Sequence, residues 1–490
     1  MSLSLIGLTL NWLLELGFQL KWKKIKSQKY LPIIFSGLFL IELFWLPISK
    51  DTTIGLNVLR IKLPLLLLPL IIGSCTSFSK REWKIIITTF FIAILVSTIW
   101  VFLVSLEILP TKKDSGTARD ASIFMSHIRY SVLLSLSAVF ILGLAFKNLI
   151  NKTLALAFFL WLLFLIFKLA TITAILGLSF ALLFLFIAFL FSPKNKNKIV
   201  YIAGIASLFF LAGLYITATV NDFYHVKSKE RPLQTHSIGG EKYQFDFKDN
   251  TTENGFYLWE NIAQKELERA WNKTSIISFK SKDKKKQPVK ATLYRFLTSK
   301  GLNKDSVGLS NLTQNEIQKI ENGETSSVAY NNFEKRIRSL LYQRESRKKS
   351  TDPNNQTINQ RVVFWNAGIE IFLNQPVFGY GPGGAKTQFK NYYKNRKTNL
   401  KKSNQLLAHN QFITQIISLG GLGAIIWLFI MLYSFLKVEK EKFLFFVPYL
   451  ILMFFAFMSD DMLEVQAGVT IFSFFGTLLL FYNSKSLETS

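Results

Sequence analysis

The chain has 490 residues, half of them hydrophobic and 15% aromatic, with a net charge of +27. The apolar residues are gathered into runs of roughly 20, the length a helix needs to cross a bilayer. That excludes an ordinary soluble domain and makes the positive charge a matter of membrane topology and loops, not of nucleic acid. One cysteine, Cys75, and four scattered histidines, His127, His225, His236 and His409, exclude a disulfide framework and offer no zinc spacing.

The sequence predicts an all-α polytopic membrane protein of about eleven transmembrane helices with one large, mostly helical loop domain on the outer side. Spans are expected near 2–20, 31–48, 60–76, 85–109, 130–146, 153–170, 172–191, 199–219, 411–436, 443–458 and 467–482. The first run lacks a basic leader and a small-residue cleavage site, so no cleavable signal peptide is expected. Alternate loops are basic: Lys21 to Lys29, Lys80 to Lys84, Lys147 and Lys152, Lys194 to Lys198, Lys437 to Lys442, and Lys485 at the end. The positive-inside rule makes these cytoplasmic and puts the N-terminus outside and the C-terminus inside. The chain then divides into an N-terminal bundle of about eight helices (1–219), an extracytoplasmic loop domain (220–410) and about three C-terminal helices (411–490).

The loop domain has helix-like stretches at Glu260–Trp271, Asn315–Glu321 and Asn332–Gln343, and Thr313 with Glu316 has the form of a capping box. The charge runs Lys282–Lys286 and Arg344–Asp352 read as solvated loops, with attraction to anionic headgroups or a diphosphate as the alternative. Asn250, Asn272, Asn311 and Asn355 head Asn-x-Thr sequons of the kind chance supplies in an Asn-rich segment.

Candidate chemistry concentrates between Asn359 and Gly423. Arg361 reads as the first residue of an amphipathic helix whose Val362, Trp365, Ile369 and Phe372 share a face. A glycine-rich turn follows, Gln375-Pro376-Val377-Phe378-Gly379-Tyr380-Gly381-Pro382-Gly383-Gly384, where backbone N–H groups can approach an anion. Without a surrounding βαβ unit it is no dinucleotide fingerprint. His409 and Asn410 stand just before a Gly-rich span. A fixed planar cation suits phosphate, and a histidine at a membrane boundary suits proton transfer near neutral pH. Each also has a plain alternative: Arg361 as a surface residue, His409 as an amphipathic boundary residue, the glycines as a turn.

Outside this stretch, His127 and Arg129 open a span, where interfacial anchoring is the plain reading, and Lys168 near the end of its span suits snorkelling. Asp460, Asp461 and Glu464 form an acidic outer loop. Metal binding and a mere topological mark are both open to it, and the topological mark is the reading adopted.

Arg361 with Trp365, the turn from Pro376 to Gly381, and Ala408-His409-Asn410 entering a Gly-rich span together resemble the O-antigen ligase family of bacterial membrane glycosyltransferases. That family includes lipopolysaccharide ligases, Wzy-type polymerases and protein O-oligosaccharyltransferases. Leu293–Gly308, with Leu297-Thr298-Ser299-Lys300-Gly301 and Lys304-Asp305, and Asp461-Met462-Leu463-Glu464-Val465-Gln466 resemble blocks of a Bacteroidetes-type subgroup, so the likeness extends over nearly the whole chain. The resemblance implies a glycan donor on undecaprenyl diphosphate and an acceptor glycolipid, glycan or protein at the periplasmic face of the inner membrane. It also implies no nucleotide sugar and no required metal; no cofactor is expected, and the placement of the charge leaves no nucleic-acid partner expected.

By the same resemblance Arg361 holds the diphosphate and His409 meets the acceptor hydroxyl. Arg129, His127, Lys168, Trp365, Tyr380, Gly381 and Asn410 are the expected substrate-binding set. Two features depart from the family pattern. Thr171-Ile172-Thr173 lacks the family's second arginine, for which Lys168 or Arg129 is the expected substitute, and the family has about twelve spans with both ends cytoplasmic. A Wzy-like polymerase is the alternative within the same class. A transporter or lipid flippase is the alternative of another class, but such proteins place charges at mid-bilayer and show repeated halves.

Overall fold

The computed structural model describes residues 3–75, 79–106, 108–109, 122, 125–191, 198–226, 234–246, 249, 251–349, 353–354, 357–396 and 398–481. Asn250, Asn355, Lys194, Lys196 and Lys485 lie outside the described residues. The chain opens with α1 (Leu3–Leu14), α2 (Phe18–Ser27) and α3 (Leu31–Phe44). Next come α4 (Thr52–Lys62), α5 (Pro64–Ser74), α6 (Lys80–Ser105), α7 (His127–Phe146), α8 (Lys152–Leu169), α9 (Ile172–Leu190) and α10 (Lys198–Tyr224). A two-stranded antiparallel ribbon, β1 (Thr252–Glu253) and β2 (Phe256–Tyr257), precedes α11 (Gln264–Thr274), α12 (Val289–Ser299), α13 (Ser306–Ser310) and α14 (Gln314–Glu321). The last six helices are α15 (Asn332–Lys349), α16 (Thr357–Asn374), α17 (Gly384–Asn395), α18 (Gln411–Leu436), α19 (Phe443–Ser459) and α20 (Gln466–Phe481).

Among the described residues, 8 helical segments are long and apolar enough to cross a membrane, or up to 9 if the bent pair α1–α2 counts as one. The straight first span expected at 2–20 is corrected here. Leu16 and Gly17 take φ of 51° and 60°, and the two helices meet at 106°. Left-handed backbone ends a right-handed helix, so the run turns aside after Leu14. In α2, Lys21 is buried against Trp12 and its ammonium lies 5.0 Å from that ring. The expected span at 60–76 begins earlier, at Thr52, because Asp51 caps α4 by accepting the Ile54 N–H. The run expected at 467–482 is the 16-residue helix α20, shorter than a full span.

In the bundle, α19 packs on α7 and α9, α7 on α8, α3 on α5 and α18, and α20 on α5. The loop segment has its own cores. One gathers Trp271, Leu293, Phe296, Leu297, Ile317 and Ile320 from α11, α12 and α14. Trp271 is wholly buried and donates from Nε1 to the Ile277 carbonyl at 2.7 Å. Truncating such a side chain costs about 3–5 kcal/mol. The predicted capping box is present: Thr313 and Glu316 exchange bonds at the start of α14. Residues 344–349, expected as loop, continue α15. That helix docks on the bundle: Phe333 stacks on Tyr215, Asn332 donates to the Lys168 carbonyl at 3.0 Å, and Arg338 pairs with Asp222 at 2.5 Å.

A second loop core joins α16, α17 and the start of α18 through Phe364, Ala367, Ile371, Phe389, Tyr393, Ala408 and Ile417. The buried face of α16 is therefore Phe364, Ala367, Gly368 and Ile371, one position round from the expected Val362-Trp365-Ile369-Phe372 stripe, and Ile369 is exposed. The helix also starts earlier than expected. Gln343 Oε1 accepts from Thr357 Oγ1 at 3.1 Å and from the Ile358 N–H at 3.2 Å, fixing the first turn at Thr357. Arg361 is thus one turn inside the helix, not its first residue.

Candidate functional site

The site is assembled where α18 breaks. Gly420 takes φ 67° and ψ −178°, so the helix is interrupted there. The glycine-rich turn fills the interruption. Tyr380 and Gly381 donate to the carbonyls of Ile417 and Ser418 at 3.0 and 2.8 Å, and Gly421 and Leu422 donate to Pro376 and Val377 at 2.6 and 3.1 Å. These bonds satisfy the backbone groups that the break would leave unpaired within a membrane-capable segment. They need close backbone approach: a Cβ on Gly379 would lie 2.4 Å from the Gly420 nitrogen, and one on Gly420 would lie 2.2 Å from the Val377 oxygen. The turn thus joins the loop segment to α18. The amides of Gly379, Tyr380, Gly381 and Gly384 are engaged within the protein, not presented as an anion cradle.

The entry to α18 holds His409 in an unusual shape. Its φ is 47°, the left-handed region that costs a non-glycine residue about 1–2 kcal/mol. Three contacts hold it there. The Ala408 carbonyl accepts from Trp365 Nε1 at 3.0 Å, the His409 N–H donates to Asp461 Oδ2 at 2.9 Å, and the His409 ring lies 5.9 Å from the Phe364 ring. Asn410 caps α18, accepting from the N–H groups of Phe412 and Ile413 at 3.0 and 3.3 Å. The histidine ring itself remains about a third exposed.

The acidic turn after α19 is the hub. Arg129, from the first turn of α7, grips Asp460 through Nε at 2.8 Å and Nη2 at 3.1 Å. Asp461 accepts from Thr414 Oγ1 at 2.5 Å as well as from the His409 backbone. His409 Nδ1 faces Asp460 Oδ1 at 3.6 Å and Asp461 Oδ2 at 3.9 Å, too far for hydrogen bonds but close enough to feel both charges. Arg361 Nη2 donates to the Ser459 carbonyl at 2.9 Å, one residue before Asp460. Burial pushes the Arg361 guanidinium below its ordinary value, and Asp460 and Asp461 oppose the shift. Burial pushes Asp461 up to about 6; the Thr414 hydrogen bond and His409 oppose this, while Asp460 and Glu464 add to it.

The structure therefore brings together Arg361, Trp365, His409, Asn410 and Arg129, from α16, α18 and α7. His127 is half-buried one turn before Tyr130 on α7. Tyr380 and Gly381 serve the α18 break, and Tyr380 donates to the Ile371 carbonyl at 3.2 Å. Lys168 is held by other partners: its ammonium lies 4.8 Å from the Phe102 ring and 5.8 Å from the Phe164 ring. Thr171, where the family pattern has an arginine, accepts from Ser131 Oγ at 3.0 Å. Asp460 and Asp461, expected only to mark topology, are instead buried partners of the site's cations. Among the described residues, no three His, Cys, Asp or Glu side chains are grouped to hold a metal ion.

Fold and site together define a multi-pass helical membrane protein with a charged site at the end of its helices, built from a loop segment and a broken span. Residues 312–428 match the Wzy_C family model, O-antigen ligase, and the match supports assigning the chain to that family. The matched stretch carries Arg361, the glycine turn, His409 and the α18 break. Arg129, Asp460 and Asp461 lie outside it. No curated protein matches the chain significantly.

Proposed function

We propose that the chain transfers a glycan from undecaprenyl diphosphate to the hydroxyl of an acceptor such as lipid A core, at the periplasmic face of the bacterial inner membrane. The observation that carries the reading is the convergence of Arg361 and His409, from separate elements, on one acidic turn. The family match supports ligase- or polymerase-type chemistry in general.

In this reading Arg361 meets the diphosphate. Its bond to the Ser459 carbonyl fixes the guanidinium and leaves other donors for phosphate oxygens. Developing negative charge on the leaving group is stabilised by a cation already in place. Arg129, held within the site by Asp460, is the better substitute for the missing family arginine, because Lys168 is committed to aromatic rings. His409 is the acid–base group. Its Nδ1 faces Asp460 at 3.6 Å and Asp461 at 3.9 Å, which leaves Nε2 for the acceptor hydroxyl. The acceptor oxygen bonds to the anomeric carbon, the bond to the phosphate oxygen breaks, and undecaprenyl diphosphate leaves with the electron pair. The hydroxyl proton passes to His409. A single displacement inverts the anomeric centre.

The test is in vitro transfer from purified undecaprenyl-diphosphate glycan with donor concentration varied. Arg361→Lys keeps charge but loses the planar fork and should retain part of the activity. Arg361→Ala should lose about one to two orders of magnitude, since a charge-assisted bond contributes about 1.5–3 kcal/mol. Identical donor dependence and maximal rate for alanine, lysine and wild type would remove Arg361 from the diphosphate site.

A further inference from the structure

Behind the acidic turn lies a second charged group, inside the bundle and outside the family-matched stretch. Lys62 is the last residue of α4, and its side chain is 2% exposed. Its ammonium stands 2.7 Å from Glu42 Oε1 on α3 and 3.0 Å from Glu464 Oε1 in the turn that follows Asp461. Glu42 Oε1 also accepts from Gln415 Nε2 of α18 at 2.8 Å, and Glu42 Oε2 is buried with no hydrogen-bond partner among the described residues. Two carboxylates share one buried ammonium. Such a group is costly in a membrane-capable segment, and apolar residues of like volume commonly replace buried ion pairs without loss of stability. Stability alone therefore does not account for Lys62; what it connects does.

The connection runs to the site. Residues 459–464 are held on one side by α18: Gln411 Oε1 accepts the Leu463 N–H at 2.7 Å and Thr414 binds Asp461. On the other side Lys62 of α4 holds Glu464. The same turn carries Asp460 and Asp461, which hold Arg129 and the His409 backbone. Releasing Lys62 removes the tie of the turn to α4 and leaves Glu464 uncompensated three residues from Asp461.

We propose that Lys62, clamped between Glu42 and Glu464, is a positioning residue that fixes the acidic turn so that Asp460 and Asp461 hold Arg129 and His409 in register for transfer. The proposal rests on the glycan-transfer reading for its functional consequence but not for its geometry.

The experiment uses the full chain in lipid nanodiscs, with Lys62→Arg, Lys62→Met and the neutral triple variant Lys62→Met/Glu42→Gln/Glu464→Gln. Two readouts are taken: kcat and KM for undecaprenyl-diphosphate glycan, and the ¹⁵N-histidine NMR signal of His409, assigned with His409→Asn. The triple variant leaves no unpaired charge buried, so it should keep its thermal midpoint even if Lys62→Met fails to fold. Its kcat should fall about ten- to a hundredfold through misplacement of the site. Its His409 signal should shift, and Lys62→Arg should recover most of kcat. A folded triple variant with an unchanged His409 signal overturns the proposal whatever its rate, and so does near-wild-type kcat. If the wild type transfers no glycan, the functional reading fails while the His409 signal still decides whether Lys62 positions the site.

Discussion

The Arg129–Asp460 pair gives the sharpest test of how the site is built. Its two contacts, at 2.8 and 3.1 Å, join the first turn of α7 to the residue after α19. Asp460 is 5% exposed and Arg129 17%. Removing one partner of a fully buried pair costs about 3–5 kcal/mol, because the other charge is left uncompensated. The residual exposure of Arg129 puts the expectation at the low end, about 3 kcal/mol for Asp460→Asn. Arg129→Gln leaves Asp460 beside Asp461 and should cost a similar amount. The double variant removes both charges, so it should cost less than the sum by about 1–3 kcal/mol. Equilibrium unfolding of the purified protein in mixed micelles measures all three. Single costs that add to within about 0.5 kcal/mol would show that the two side chains do not interact and would refute the assembly described here.

Asp461 carries the pH dependence. Its carboxyl, pushed up to about 6 in the folded protein, binds its proton more tightly there than in the unfolded chain, near 3.8. The folded state should therefore lose stability from this group as pH rises from about 4 to about 6, by an amount on the order of 2–3 kcal/mol. Asp461→Asn should flatten that slope in a pH series of thermal midpoints, and an unchanged slope would exclude the group. Over the same interval the ionised carboxylate forms beside His409, so transfer by the wild type should rise with pH through about 6. Gly420→Ala would set a Cβ 2.2 Å from the Val377 oxygen at φ 67°, whereas Gly421→Ala meets its nearest atom at 3.2 Å. The first should lower the thermal midpoint well beyond the left-handed penalty of about 1–2 kcal/mol. The second should be milder, and equal effects would count against the docking of the glycine turn in the helix break.

Much of the architecture was legible because apolar runs of bilayer length leave little choice of structure. The capping box at Thr313 and Glu316 was legible for a similar local reason. Three things were not. The bend after Leu14 depends on two successive left-handed residues, Leu16 and Gly17, and only the second is a glycine. The glycine turn looked like an anion cradle because its partner, the break at Gly420, lies far along the chain in a segment that reads as continuous helix. The acidic turn looked like a topological mark because Arg129 is 331 residues from Asp460. A signal for the inner part of the site was nonetheless present: Glu42 falls within an expected span and Lys62 near the start of another. Ionisable residues at such positions point to a site unless paired purely for structure.

His409 is the centre of the proposed chemistry. Its backbone is held in a left-handed conformation by Asp461, and its ring remains partly exposed beside two carboxylates. The decisive measurement is the rate of glycan transfer from undecaprenyl diphosphate by purified His409→Ala protein that folds and inserts as the wild type does. The expected loss is about 10²–10⁴-fold, the usual contribution of a positioned acid–base group. Transfer at near the wild-type rate would contradict it and leave the histidine as a packing residue at the head of α18.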